Sequence, residues 1–346
     1  MQLAHPYNQQ EVDSYDQHIW RNEREVLRSR IATFCANNKC SFSFDLTLEA
    51  IQNSEHDVVI LMWLFDLIPD FNFWQQADQK CKELGKKCFV VTDNILSFTD
   101  LDLIKFYSYP ELLGVTASYS NVDSEPTSPT RLYNCFIQRV DSVRQSWFYF
   151  LYDKNLLDHG YVSLLMKQLA DVDLTNQELF DYIHYNYQLD RLPKFHAAYQ
   201  AMRPYVPFRN FEESNNLLPL IQDSKYSLVL ETYATDDDYN AWCFTEKSLR
   251  TLQFATIPLL FMQKHGIQKL KELGFLIGNY LDHIDNETWI ARQSLLLDIL
   301  VQDSIDFVWH DLYNNSQYNR ALLTDWQRQY QKSNFFDNLF DKVKQH

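Results

Sequence analysis

Two short runs of this sequence combine residue types that could bind a phosphorylated ligand. Glu231 ends the strand-like run Tyr226–Glu231, and Thr245-Glu246-Lys247 opens a segment with helical character. In open α/β sheets, ligands bind beyond the carboxyl ends of strands, where Glu231 could accept hydrogen bonds from ribose or sugar hydroxyls. Backbone N–H groups at a helix start favour an anion, and Lys247 would add positive charge for a diphosphate. The pattern indicates a ligand with both hydroxyl and diphosphate groups.

Other residues extend this candidate site and bring alternatives with them. Arg139 and Arg144 lie between a predicted strand and a predicted helix, and Tyr239 could stack on a base. Taken alone, such arginines are ordinary surface residues, loop aromatics pack locally, and Thr245 could be a helix cap. The run Asp236-Asp237-Asp238 is compatible with a divalent metal site and also with a solvated loop.

The elements that must position these residues follow from hydrophobic patterning. Continuous apolar runs predict buried parallel strands, and amphipathic segments between them predict helices. The strands are predicted at Asp57–Phe65, Lys87–Asn94, Leu113–Ser118, Leu132–Ile137, Tyr226–Glu231 and Ile257–Met262, and helices at 71–85, Val143–Leu157 and Phe244–Phe254. The Pro- and Ser-containing stretch Asn121–Thr130 reads as a linker between two α/β domains. Residues 286–346 are predicted to be mostly helical.

Composition narrows the functional classes further. With 6 Gly, the chain has no GxGxxG or GxxxxGK[ST] loop, so phosphate binding by a glycine-rich loop of either kind is excluded. The net charge of −15 disfavours binding to nucleic acid or anionic membranes. The six cysteines and the scattered histidines show no zinc-type spacing, and we expect free thiols in a reducing compartment. The polar N-terminus and short apolar runs predict a cytoplasmic protein without a membrane span.

The candidate site resembles the donor-binding motif of the fucosyltransferase family and of related viral and bacterial glycosyltransferases. Order and spacing carry the resemblance across about residues 130–290. The matching segments are Arg139 and Arg144, the following LLDHGYVS, Glu231, Phe244-Thr245-Glu246-Lys247, Ala255-Thr256-Ile257-Pro258, and Leu270–Phe275 (LKELGF). Thr232 and Gln138 stand where the family often has Asn, which leaves the sugar and base of the donor open.

The resemblance implies a GT-B fold, with two Rossmann-like domains facing each other across a cleft. On this view residues 1–125 form the acceptor domain and 130–290 the nucleotide-sugar donor domain. Residues 291–346 would be a helical extension that packs on the domains. The reaction would move a sugar from a nucleoside diphosphate sugar to a glycan hydroxyl, without a cofactor.

The resemblance also implies roles for individual residues. Arg139, Arg144 and Lys247 would neutralise the leaving diphosphate in place of a metal ion, so no metal site is expected. Glu231 and Glu246 would hold ribose and sugar hydroxyls.

An inverting transferase needs a base for the acceptor hydroxyl. Asp66 and Asp93 are candidates because each follows a predicted strand of the first domain, although either could instead be a turn or cap residue.

Two alternatives to a glycan-modifying enzyme stay open. The acceptor could be a modified base in DNA, as in some viral relatives, but the net charge disfavours it. The chain could also be a catalytically silent protein that keeps the GT-B fold as a binding module.

Overall fold

A computed structural model of the protein describes residues 28–63, 68–96, 100–108, 128–137, 142–164, 208–209, 217–231, 241–306, 308–332 and 335–345. The chain divides into two compact units. Unit 1 comprises Met1–Ser120, Asp237–Arg250 and Arg320–His346, and unit 2 comprises Asn121–Asp236 and Thr251–Asn319. Each unit contains a sheet of mainly parallel strands, so the predicted α/β fold class is confirmed.

Helices and strands alternate along most of the described chain, beginning with a helix at residues 28–38 (α1). There follow β1 (Ser41–Ser43), α2 (Leu48–Gln52), β2 (Val58–Trp63), α3 (Phe71–Leu84), β3 (Lys87–Thr92), β4 (Ile95–Leu96), β5 (Ile104–Ser108), β6 (Arg131–Ile137), α4 (Ser142–Asp153), β7 (Gly160–Leu164), β8 (Phe208–Arg209), α5 (Leu218–Gln222) and β9 (Ser224–Leu230). The remainder is β10 (Ala241–Trp242), α6 (Glu246–Thr251), β11 (Ile257–Phe261), α7 (Gly266–Glu272), α8 (Asp282–Asp285), α9 (Trp289–Gln302), α10 (Trp309–Lys332) and α11 (Phe335–Lys344). No helix in the described ranges is long and apolar enough to cross a membrane.

Unit 1 is built on a parallel sheet with strand order β1-β2-β3-β5. Alternate residues of β2 and β3 face two separate apolar cores, because side chains in a strand alternate between faces. One core packs against α1 and α11, and the other packs against α3. Ring stacking of Phe34 on Phe340, with centroids 4.0 Å apart, joins α1 to α11. The sheet is therefore covered on both faces, as the unbroken apolar run of β2 predicts.

Helix α3 begins and ends where its sequence provides caps. Asp70 precedes the helix, and its carboxylate accepts a hydrogen bond from the Phe73 N–H at 2.9 Å. Gly85 ends it in the left-handed conformation at φ 65°, which glycine adopts without a Cβ clash. The helix predicted over 71–85 is thus confirmed to within a residue.

Unit 2 contains a five-stranded sheet with order β11-β9-β6-β7-β8, in which the described strands pair in parallel except for β7 with β8. Buried polar side chains of β6, of β9 and of the residue before β11 lie close together in this sheet. The Asn134 Nδ2 donates to Ser227 Oγ at 2.7 Å, and the Thr256 Oγ1 lies 3.4 Å from the same oxygen. These contacts fix the register of β6, β9 and β11, because a one-residue slip would separate the partners.

Some predicted elements differ from the structure. The strands β4, β5, β7, β8 and β10 were missed, and the predicted strand Leu113–Ser118 lies outside the described residues. The helix predicted to reach Leu157 ends at Asp153, because Asn155 adopts a left-handed conformation with φ 55°. The first residue of β7 is glycine, Gly160, because a Cβ at that position would lie 2.6 Å from Tyr133.

Lys86 is a nearly buried lysine that ties the end of α2 to the sheet. Its Nζ donates to the carbonyl oxygens of Ile51, Gln52 and Ser54 at 2.9, 3.2 and 2.7 Å. These carbonyls follow the last turn of a helix, where a positive charge is favourable and backbone acceptors lack helical partners.

We predict that Lys86→Met lowers the free energy of unfolding by roughly 2–4 kcal/mol, because the carbonyls lose a charged donor inside the protein. Urea unfolding followed by circular dichroism measures the change. Lys80→Met is the matched control: Lys80 makes an exposed ion pair with Glu83, so its loss should cost less than about 1 kcal/mol. Equal effects of the two variants would contradict the prediction.

Candidate functional site

The strand order of unit 2 contains a reversal point. From β6 the chain passes to β7 on one side, and then returns to form β9 and β11 on the other side of β6. The strands of this sheet that come next after β6 and β9, namely β7 and β11, therefore lie on opposite sides of the β6–β9 pair. In open parallel sheets such a reversal opens a crevice at the carboxyl ends of the two strands, and ligands bind there.

The three strands around this point end level with each other. Tyr133 pairs with Tyr226 and Asn134 with Ser227, and continuing this offset brings Ile137 beside Leu230. Leu230 in turn pairs with Phe261, the last residue of β11. Whatever follows these strands starts from the same edge of the sheet.

Glu231 lies at this edge as the first residue after β9. Its N–H donates to the Phe261 carbonyl at 2.9 Å, so the backbone is fixed by the last bond of the β9–β11 ladder. The residue is 2% exposed. A carboxylate at such depth is costly to bury, and positions of this kind are concentrated at functional sites and in structural ion-pair networks.

Arg144 follows β6, in the first turn of α4, and is 4% exposed. Its charge reaches the sheet: burial raises the pKa of the Cys135 thiol in β6 to about 12, and the positive charge of Arg144 opposes that rise. Glu231 and Arg144 therefore belong to the two segments that follow the strands on either side of the reversal. Their roles toward a ligand stay predictions.

The loop after β11 borders the same edge and was missed by the sequence analysis. Arg292 in α9 donates through Nη1 to the Met262 carbonyl at 2.5 Å. Asp285 accepts from the N–H groups of Ile267 and Gln268 at 3.1 and 2.9 Å, and so caps α7 from a distance in sequence. Burial raises the pKa of Asp285, which these two hydrogen bonds partly offset. No local motif marks such a cap, because its partners are 17 and 18 residues away.

The Thr245-Glu246-Lys247 segment belongs to unit 1. It follows β10, which pairs antiparallel with β4, and Ala241 of β10 packs into the core beneath β2 and β3. Thr245 acts as the cap of α6, since its Oγ1 accepts from the Lys247 N–H at 3.3 Å. The Lys247 Nζ lies 3.4 Å from the same oxygen. Thr245 is therefore a helix cap, the alternative given above, and the donor-binding role of the segment stays a prediction.

Asp93 follows β3 at the carboxyl edge of the unit 1 sheet and is 1% exposed. It accepts from Asn94 Nδ2 at 3.2 Å, and Asn94 Oδ1 accepts from the Ile68 N–H at 3.2 Å. Through these hydrogen bonds, Asp93 belongs to a turn that connects the segments after β2 and β3. Its role as a base stays a prediction.

Several predicted site residues fall beyond the described part of the chain. Arg139, Tyr239, Asp66 and Asp236–Asp238 lie outside the described residues, and Glu246 is described in its backbone alone. Within the described ranges, no group of three or more His, Cys, Asp or Glu side chains is arranged to hold a metal ion. All six cysteines are buried and free.

Comparison with protein-family models, curated proteins and solved structures finds no match to this chain.

At the amino-terminal edge of the same sheet, several polar groups bind one another. Asp223, just before β9, accepts from the Thr130 N–H and Oγ1 at 2.9 and 2.5 Å, and from Tyr161 Oη at 2.7 Å. The segments leading into β6, β7 and β9 are thus held by one carboxylate. Although partial burial opposes it, these hydrogen bonds and the charge of Arg131 lower the pKa of Asp223.

We predict that Asp223→Asn destabilises unit 2 at neutral pH but changes no ligand binding. Because the folded pKa lies below the ordinary value, the carboxylate stabilises the protein above about pH 4, and this contribution is lost as the pH falls through the lowered pKa. The difference in unfolding free energy between variant and wild type, from urea titrations between about pH 3 and pH 7, should shrink toward the acid end. A difference that grows as the pH falls would contradict this.

Proposed function

We propose that the protein is a glycosyltransferase that uses a nucleoside diphosphate sugar and transfers the sugar to a glycan hydroxyl. The observation that supports this most is that buried Glu231 and Arg144 follow the neighbouring strands β9 and β6, at the reversal point of the unit 2 sheet. An acceptor-only carboxylate and a guanidinium suit the two ends of one ligand, its hydroxyl groups and its phosphates. The resemblance to the fucosyltransferase motif includes the same two residues.

In this proposal Arg144 is the main residue that stabilises negative charge in the transition state. As the glycosidic C–O bond breaks, negative charge develops on the departing diphosphate. A fixed guanidinium in a site shielded from water stabilises that charge far better than a solvated one. Arginine also presents a planar fork that matches phosphate oxygens in two hydrogen bonds. Arg139, five residues before Arg144, would add a second positive charge.

Glu231 would fix the position of the sugar nucleotide. Its backbone is anchored to β11, so the carboxylate has little freedom to follow a misplaced ligand. Hydrogen bonds from two adjacent hydroxyls to one carboxylate would orient the donor with its anomeric carbon open to attack. Glu246, Thr245 and Lys247 keep the donor-binding roles that the resemblance implies, as separate proposals.

The transfer itself would invert the anomeric centre. The acceptor oxygen attacks the anomeric carbon, the bond from that carbon to the diphosphate oxygen breaks, and a carboxylate takes the acceptor proton. Asp93 and Asp66 are the proposed bases, as residues that follow β3 and β2 in unit 1. In this scheme residues 1–125 are the acceptor half and residues 130–290 the donor half of a GT-B enzyme.

We predict that one of UDP, GDP, ADP or CDP raises the melting temperature of the full chain in a thermal-shift assay. At a concentration about 100 times the dissociation constant, a bound nucleotide adds about 2.7 kcal/mol to the unfolding free energy, and inorganic pyrophosphate should add less. The base that stabilises the protein identifies the donor class. If none of the four nucleotides shifts the melting temperature, the proposal fails.

Two variants test whether that shift arises at the proposed site. Arg144→Lys keeps a buried positive charge but loses the planar fork, and Glu231→Gln keeps the size but loses the charge, so both should weaken nucleotide binding by about tenfold or more. Arg131→Ala is the matched control, since Arg131 lies at the opposite edge of the same sheet and donates to the Asp158 carbonyl at 3.0 Å. Equal weakening by the control variant would place the nucleotide elsewhere.

We further predict that nucleotide binding survives removal of divalent cations, because arginine side chains carry the neutralising charge. Isothermal titration of the stabilising nucleotide with excess EDTA, and again with Mg²⁺ or Mn²⁺, should give the same dissociation constant within about twofold. Binding that requires the cation would instead favour a metal role for Asp236–Asp238.

A further inference from the structure

Unit 1 carries a surface groove of about 670 Å³ along α2 and α3, which pack side by side. The volume falls in the range typical of sites for small organic ligands. One wall is formed by four amide side chains of α3, Asn72, Gln75, Gln76 and Gln79, and Leu48 at the start of α2 contributes from the other side.

The amides form a continuous stripe along one face of the helix. Their spacing of three, four and seven residues from Asn72 places them on neighbouring turns of a single face. The opposite face of α3 packs Trp74, Ala77 and Cys81 into the core. All four amides are exposed, and none has a hydrogen-bond partner among the described residues. Their donors and acceptors are therefore available to a ligand.

The chemistry of the groove selects one class of ligand. The two charged residues of its lining, Lys80 and Glu83, pair with each other at 3.2 Å, which leaves the wall without net charge. A polyanion would need unpaired cations, and Leu48 is the one apolar residue in the lining of the groove. An amide offers two donors and one acceptor group, which complements the hydroxyls of a sugar.

One end of the groove lies near the edge of the unit 1 sheet that carries a proposed catalytic base. Asn72 lies in the first turn of α3, which follows the carboxyl end of β2, and Leu48 begins α2 after β1. One end of the groove is therefore close to the carboxyl edge of the unit 1 sheet, the edge where ligands of such sheets bind and where Asp93 lies.

We propose that this groove binds a neutral oligosaccharide and holds the acceptor glycan of the reaction. Binding of the oligosaccharide is a property of the groove itself, while its role as acceptor subsite rests on the proposed transferase function. Successive sugar units along the stripe would each meet an amide, and the chain end nearest the sheet edge would carry the reacting hydroxyl.

The test is a glycan array probed with the full-length chain, containing neutral oligosaccharides of about two to six units, heparan sulfate fragments and duplex DNA. Neutral oligosaccharides should bind, and titration calorimetry with the best of them gives the dissociation constant. Gln75→Ala, Gln76→Ala and Gln79→Ala should each weaken binding about two- to tenfold, the equivalent of one neutral hydrogen bond. Alanine favours the helix, so these variants should stay folded.

Gln268→Ala, an exposed amide on α7 of unit 2, is the control and should bind the oligosaccharide as wild type does. The proposal is overturned if no neutral oligosaccharide binds, if the α3 variants bind as well as wild type, or if binding is restricted to the anionic probes. Nucleotide thermal shifts measured on the same variants separate this result from the proposed function. If the α3 variants lose glycan binding but keep the nucleotide shift, the result supports glycan binding in the groove. If the wild type shows no nucleotide shift, only the proposed donor site is contradicted.

Discussion

The parallel pairing of β6 with β9 is the contact on which the rest of unit 2 depends. These strands are separated by more than 85 residues, yet they lie side by side with β7 and β11 on their outer flanks. Arg144, in α4 after β6, and Glu231, directly after β9, consequently follow neighbouring strands at the same edge of the sheet. If β9 were instead paired next to β7, the sheet would lose the reversal, and these two residues would no longer follow neighbouring strands.

Buried polar groups define this pairing better than apolar ones could. Leu, Val and Ile pack comparably well in several registers, whereas Asn134 and Ser227 hydrogen-bond at 2.7 Å in one. The amino edge adds Asp223, which ties the starts of three strands. The sheet therefore has an amino edge and an interior whose polar groups bind one another. Glu231 and Arg144, the residues of the proposed donor site, are buried at the opposite, carboxyl edge.

Sequence patterns predicted the main buried strands and several of the helices. Continuous apolar runs located β2, β3, β6, β9 and β11, because strands buried on both faces leave a strong signal. The strand β5 was missed because Lys105 interrupts a short run, and β7 because Gly160 and the preceding 3₁₀ turn resemble a helix end. Contacts such as the Asp285 cap of α7 depend on residues brought together by the fold, and no local pattern encodes them. The pairing of β10 with β4, which takes the segment after β10 into unit 1, is of the same kind.

An acidic chain is compatible with an anionic donor, because the net charge acts at long range through solvent whereas an arginine acts on a bound anion at contact. A net charge of −15 acts through solvent, where ions at physiological strength screen it within about 8 Å. That long-range field slows the encounter with any anion and works most strongly against a polyanion such as DNA, whose many charges extend along the surface. In the proposed function, a single diphosphate would meet the charge of Arg144 at contact distance and away from water, where the attraction is many times stronger. The charge of the chain is therefore compatible with the proposed nucleotide-sugar donor and with an uncharged acceptor.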